Sequence, residues 1–390
     1  MPGKRAKILK RFTVILASVG FLGAAACRCF SPATGHALAG QILGFYVTGV
    51  FGVFAALHSI QTGGESRNRL LRFLRGPVSP ALLALLLVLY LGALFDAEGA
   101  FFKADTHRDA LRQVSVYGIL ACGMCLVIVT GGIDLSVGSV LGLVGVCFAL
   151  IVMHSGLSPW AAVFWCLVIG GSCGVVSGTL TAVFRIQPFI ATLAMMVFAR
   201  GLAKTITENQ TVPMMVLTPE RTLYVPEIVR LINSRVLGDQ VSMVTVIFLG
   251  CAAVTWLLLA RHQWGRQLYA IGGNEEAAWL SGIPVRRAKI MAYGAAGVLA
   301  AIAGICHAAQ ATMGHPEAGS TYELSAIAIV VIGGTSLMGG RGGIGLTLIG
   351  ALTIGYLEKI LSINAVQEAW RLMLTGVIIV AAVLIQRRGR

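Results

Sequence analysis

The chain has 390 residues, of which 57% are hydrophobic and only 12% charged, and its formal net charge is +14. Soluble domains carry about a quarter charged residues, so a water-soluble fold is excluded: too few charges exist to cover its surface. The basic residues sit in short clusters between apolar runs, a pattern that sets membrane topology and argues against a nucleic-acid partner.

A bilayer-spanning helix needs about 20 mostly apolar residues. By that ruler the runs near 12–30, 38–60, 77–95, 112–130, 134–153, 159–184, 188–207, 241–260, 288–311, 322–333, 344–361 and 369–386 predict an all-α polytopic membrane protein of about twelve spans. The run 322–333 is too short to cross alone and reads as a half helix entering a glycine-rich stretch. The chain has 48 glycines, and small residues let membrane helices pack closely where no hydrophobic force drives association. Basic clusters such as Lys4–Arg11, Arg67–Arg75, Arg261–Lys289 and Arg387–Arg390 outweigh those on the other side roughly twofold, which predicts cytoplasmic N- and C-termini. The first apolar run lacks a small-residue cleavage site and reads as a retained helix.

Hydrophilic stretches at 96–111 and 208–240 fall on the outer side and predict short surface helices or a docking face. Residues 261–288 form the largest inner loop. The nine cysteines lie mostly inside apolar runs, and even the Cys122/Cys125 pair reads as small core residues, with no metal or redox role.

Three motifs carry chemistry. In GGIDLSVGS (131–139) the ionisable Asp134 lies beside long apolar runs, where such residues usually face a cavity or partner. Two readings fit: a helix break placing Asp134 and Ser136 near a polar path, and a local cap in which Asp134 bonds the amides after it. GGTSLMGGRGGIG (333–345) predicts a tight turn. It lacks the strand–GxxxxGK[ST]–helix context of a nucleotide loop, so ATP binding is not expected on this chain. A faint echo links VTGGIDLS (129–136) to VIGGTSL (331–337), as in folds built from repeats. In the inner loop, Asn274 or Gly273 caps a two-turn helix with Glu275 and Glu276 in its first turn. Ala277, Ala278, Trp279 and Leu280 continue it, and Gly282 and Pro284 stop it. A helix this short must pack on something; its Trp279–Leu280 edge suits a partner groove or an ordinary interfacial position equally.

These motifs, with QPFIATLAMM (187–196), GRQLYAIGGNEEAAWLSGI (265–283), YELSAIAIVVIGGTSLMGG (322–340) and GGIGLTLIGAL (342–352), resemble the branched-chain-type permease family of ABC importers, in its ribose, xylose and galactofuranose branch. The likeness covers about residues 77–386. It implies a type II-like importer permease with a ten-span core over 77–390; residues 1–76 depart from that pattern by adding an apparent two-span hairpin. It also implies a second permease copy or related permease, a cytoplasmic ABC ATPase, a periplasmic sugar-binding protein, a bacterial inner-membrane location, no cofactor and no enzymatic activity of its own. In that family the segment holding Asn274, Glu275, Glu276, Ala277, Trp279, Leu280 and Gly282 is the ATPase-coupling loop. For a neutral sugar path, Asp134, Ser136, Phe189, Thr192, Thr335 and Ser336 are the candidates. The alternative is a secondary transporter or channel driven by an ion gradient, for which Asp134, Arg200, Glu323 and Glu358 are the ionisable groups available.

Overall fold

The computed structural model describes residues 78–217, 223–373 and 376–377. The expected spans 12–30 and 38–60, the hairpin over 1–76 and most of the run 369–386 lie outside the described residues. Among the described residues, seven helices are long and apolar enough to cross a membrane. They are α2 (Ala104–Val129), α3 (Val137–His154), α4 (Pro159–Ala182), α5 (Pro188–Ile206), α7 (Met243–Ala260), α10 (Val285–Ala311) and α12 (Ile344–Ile363). Two shorter apolar helices, α1 (Val78–Leu94) and α11 (Tyr322–Ile332), complete the bundle. Each predicted run from 77–95 to 344–361 therefore holds one helix. The total of about twelve spans is not reached by the described residues alone.

Helix α2 departs from its predicted bounds. It begins at Ala104, eight positions before the apolar run, and carries Asp105 in its first turn. Its 26 residues make a rod about 39 Å long, longer than the hydrocarbon core. Hydropathy finds where a helix turns apolar, whereas polar helix formers extend it further. In contrast, α11 has 11 residues and spans about 16 Å, half a bilayer, as its short apolar run predicts.

Local chemistry explains the starts. Ser158 caps α4 by accepting from the Ala161 amide, with Pro159 in the first turn. Proline also opens α5 at Pro188. Helix α4 lies against α10 at backbone distance, because Gly170, Gly174 and Gly178 recur one turn apart on the contact face. A Cβ at Gly170 would reach Gly297 O at 2.5 Å, and one at Gly174 would overlap Tyr293 O. This small-residue stripe is how membrane helices gain van der Waals contact without hydrophobic drive.

The two ends of the bundle differ. Between α7 and α10 the chain forms α8 (Gln263–Gly273) and α9 (Glu275–Leu280). At the opposite end the segment after α5 folds into short hairpins and α6 (Glu227–Asn233). There β1 (Val212–Pro213) pairs with β6 (Met313–Gly314), β2 (Val216–Leu217) with β3 (Leu223–Tyr224), and β4 (Arg235–Val236) with β5 (Val241–Ser242), all antiparallel. Of the two stretches predicted to hold short surface helices or a docking face, 208–240 has, among its described residues, one helix and paired strands, and the end of 96–111 belongs to α2. Ile228, Val229 and Ile232 bury one face of α6, and Asn233 Nδ2 donates to Ala309 O at 2.5 Å.

Candidate functional site

The loop helix α9 forms as its sequence predicts. Asn274 is the cap: its side-chain oxygen accepts from the Ala277 amide at 3.0 Å. Glu275 and Glu276 occupy the first turn, where the helix dipole favours negative charge. Gly282, at φ 81°, ends it. Only Ala278 is buried, at 4% exposure, while Trp279 and Leu280 are 66% and 72% exposed. An ion pair ties α9 to the bundle: Lys289 Nζ on α10 lies 2.5 Å from Glu275 Oε2.

Behind α9, three glycine-rich segments meet. Gly340 N donates to Val129 O at 2.9 Å, which joins the turn after α11 to the end of α2. The two segments of the sequence echo are therefore neighbours in space. Gly272, in the last turn of α8, lies between them: a Cβ there would overlap Val129 O and sit 2.5 Å from Gly340 N. Tyr269 on α8 donates its hydroxyl to Gly342 O at 2.9 Å, and burial raises its phenol above the ordinary range. The α8–α9 segment is thus held by backbone contact to both turns. Sequence reading did not single out Tyr269, Gly272 or Lys289. The only signals were a glycine pair and one more member of a basic cluster.

The proposed path residues divide into two groups. In the first turn Asp134 and Ser136 are buried, and Asp134 Oδ1 accepts from the Ser136 amide at 2.9 Å and its hydroxyl at 2.6 Å. The capping position of α3 is Ser136 itself, so Asp134 shapes the turn two residues before the cap. Thr192 on α5 is also buried and donates to Ile133 O at 3.3 Å and Pro188 O at 2.9 Å. The second turn holds Thr335, fully buried, and Ser336, whose amide donates to Arg341 O at 3.0 Å and whose hydroxyl accepts from the Met338 amide at 3.3 Å. Phe189 joins neither group; its ring is 54% exposed on α5.

Two of the remaining ionisable groups, Arg200 and Glu323, hold neighbouring segments together. Arg200 Nη1 donates to Pro316 O at 2.5 Å and Ala318 O at 2.7 Å, clamping the segment between β6 and α11 onto α5. Lys204 pairs with Glu317 in the same segment. The hydrogen bond from Lys204, aided by the charges of Lys204 and Arg200, holds the Glu317 carboxyl below the usual carboxylate range. Glu323 lies against Gly138 of α3, where a Cβ would collide with its carboxylate. Among the described residues, no group of three His, Cys, Asp or Glu is arranged to hold a metal ion.

The family described as branched-chain amino acid transport system / permease component matches residues 108–383. The chain belongs to this permease family. The permease is 40% identical over 294 residues to the ribose import permease protein of Escherichia coli strain K12, covering 74% of this chain and 87% of that one. It is 34% identical over 291 residues to the fructose import permease protein of Rhizobium meliloti, covering 74% and 79%. Against the D-allose transport system permease protein of Escherichia coli strain K12 it is 33% identical over 288 residues, covering 74% and 85%. No solved structure matches the permease.

Proposed function

We propose that this permease is the membrane-spanning subunit of an ABC-type importer that carries a monosaccharide into a bacterial cytoplasm. Two such subunits, or this one and a related one, form the channel. ATP is hydrolysed on a separate cytoplasmic ATPase, and a periplasmic binding protein delivers the sugar. Similarity to permeases of ribose import, fructose import and D-allose transport supports the substrate class. In this reading the core runs over 77–390, residues 1–76 add a hairpin, and both termini are cytoplasmic.

The observation that carries the coupling part is α9. A two-turn helix between two spans leaves Trp279 and Leu280 exposed beside Glu275 and Glu276. A large aromatic with an adjacent apolar neighbour is the kind of anchor that fills a partner pocket. Closure of the ATPases then moves α9, and with it α8 and the spans α7 and α10. Asp134, Ser136, Thr192, Thr335 and Ser336 supply hydroxyl and carboxylate groups near the turns that α8 touches, and Phe189 supplies an aromatic face. A neutral sugar needs no more than such groups for a weakly binding passage.

Replacing Glu275 and Glu276 together by Arg tests the reading in reconstituted transporter. Uptake and the stimulation of ATPase activity both fall if α9 is the coupling element. Normal values for both would remove that role. Copurification of a soluble ATPase and a periplasmic protein from the native host checks the partners.

A further inference from the structure

A partly open pocket of about 210 Å³ lies beside α9, between it and the adjoining ends of α2, α4, α5 and α10. One water occupies about 30 Å³ in the liquid, so there is room for several. Its walls carry Thr130, Gly132, Thr181 and Tyr293, and Glu275 and Lys289 lie at its α9 side. The Thr130 hydroxyl donates to Val127 O at 2.7 Å, and the Thr181 hydroxyl donates to Ser177 O at 2.9 Å. Both donors are occupied within their helices, so the oxygen lone pairs are what remain for the cavity. The Lys289 ammonium supplies donors. This is a lining for water or a hydroxyl-bearing solute.

The walls differ in how firmly they are held. Helices α4 and α10 meet at glycines with no space to give, and Gly132 approaches the Tyr293 hydroxyl so closely that a Cβ would collide with it. Helix α9 has six residues and buries only Ala278. It is the wall with the fewest buried contacts, and such segments open first. Lys289 is anchored in the bundle, with its side chain 12% exposed, while Glu275 on α9 is 56% exposed. Their ion pair is where the yielding wall meets the rigid one.

We infer that the Glu275–Lys289 ion pair is a latch that holds α9 at the mouth of a polar vestibule, and that Lys289 is the positioning residue setting how freely solutes reach its inner wall. The inference rests on the coupling role of α9 for what moves the latch, but not for its existence. A mostly buried lysine left without its carboxylate is costly, so the pair favours the arrangement with α9 in place until a force on α9 separates it.

The test reads accessibility in the assembled transporter in nanodiscs. Thr130→Cys and Thr181→Cys each place a thiol in the vestibule, and a small charged thiosulfonate reports its exposure above the background of the parent chain. With the pair intact, labelling is slow. Lys289→Met and Glu275→Gln each speed it by roughly threefold to tenfold, the range of a partly buried ion pair, and Lys289→Arg returns it to the slow rate. Equal rates in Lys289→Met and the parent, at both thiol positions, overturn the latch. An ATP-state arm separates the two ideas. Labelling that depends on the pair but not on nucleotide supports the latch and removes the coupling role. Labelling that responds to nucleotide but not to Lys289 does the reverse.

Discussion

At the scale of single residues, Gly272 has the most demanding position. It abuts the hydrogen-bonded pair formed by the Val129 carbonyl and the Gly340 amide, so that an added Cβ would overlap both. Backbone atoms of two segments cannot rotate aside as a side chain would. A methyl group there must part the turns or displace α8, an overpacking cost of about 1–3 kcal/mol. Gly272→Ala therefore lowers the unfolding temperature of the permease in nanodiscs and reduces uptake. The neighbouring Gly273 meets nothing within 4 Å, so Gly273→Ala leaves both near the parent values. Asp134 illustrates a quieter role. Its carboxylate holds Ser136 in place across the turn, and that geometry satisfies the buried polar atoms whether or not a solute ever passes them.

Among the elements, the α4–α10 contact and the segment after β6 make opposite demands. The helix contact is steric. A Cβ at Gly174 would overlap Tyr293 O, whereas one at Gly201 on α5 meets nothing within 4 Å. Gly174→Val thus lowers the yield of monodisperse protein on size exclusion, while Gly201→Ala is neutral or stabilises by about 0.5–1 kcal/mol. The segment after β6 is held electrostatically by Arg200 and Lys204. Because the Glu317 carboxyl is held below its usual range, its contribution is present above the unfolded value near 4.3 and is lost as pH falls through the folded value. Acidification therefore loosens residues 312–321, which an acid protease reads as faster cleavage there. Glu317→Gln cleaves at a rate that no longer follows pH in this window.

For the whole molecule, the exposed apolar side chains identify what surrounds it. Phe164 and Trp165 on α4, Phe198 on α5 and Trp256 on α7 are about half exposed or more, whereas Trp264 is buried and donates to Ala288 O at 3.2 Å. Lipid is the solvent that suits the first set. Trp279 lies off the bundle on α9. In single-tryptophan variants, brominated lipid quenches Trp165 and Trp256 strongly and Trp264 weakly. Iodide quenches Trp279 in the isolated permease and loses access when the ATPase binds. Persistent iodide quenching of Trp279 in the full assembly would count against α9 as the docking element.

What the sequence by itself determined is what depends on neighbours along the chain. Apolar length located the helices from 78 onward, including the half-length α11. The Asn274 cap, its acidic first turn and the Gly282 stop define α9 within a few residues, because capping bonds join groups two to four positions apart. The exposed Trp279–Leu280 edge was legible for the same reason. Tertiary structure alone decided which distant segments touch. That Gly340 bonds Val129, that Gly272 lies against both, and that Lys289 reaches back to Glu275 are results of close packing between segments. A glycine whose value is the space it leaves has no mark in the sequence to distinguish it from one that meets nothing. Polar turns extend α2 beyond its apolar run for a related reason: hydropathy reports the solvent a residue prefers, while the backbone hydrogen bonds decide where the helix begins.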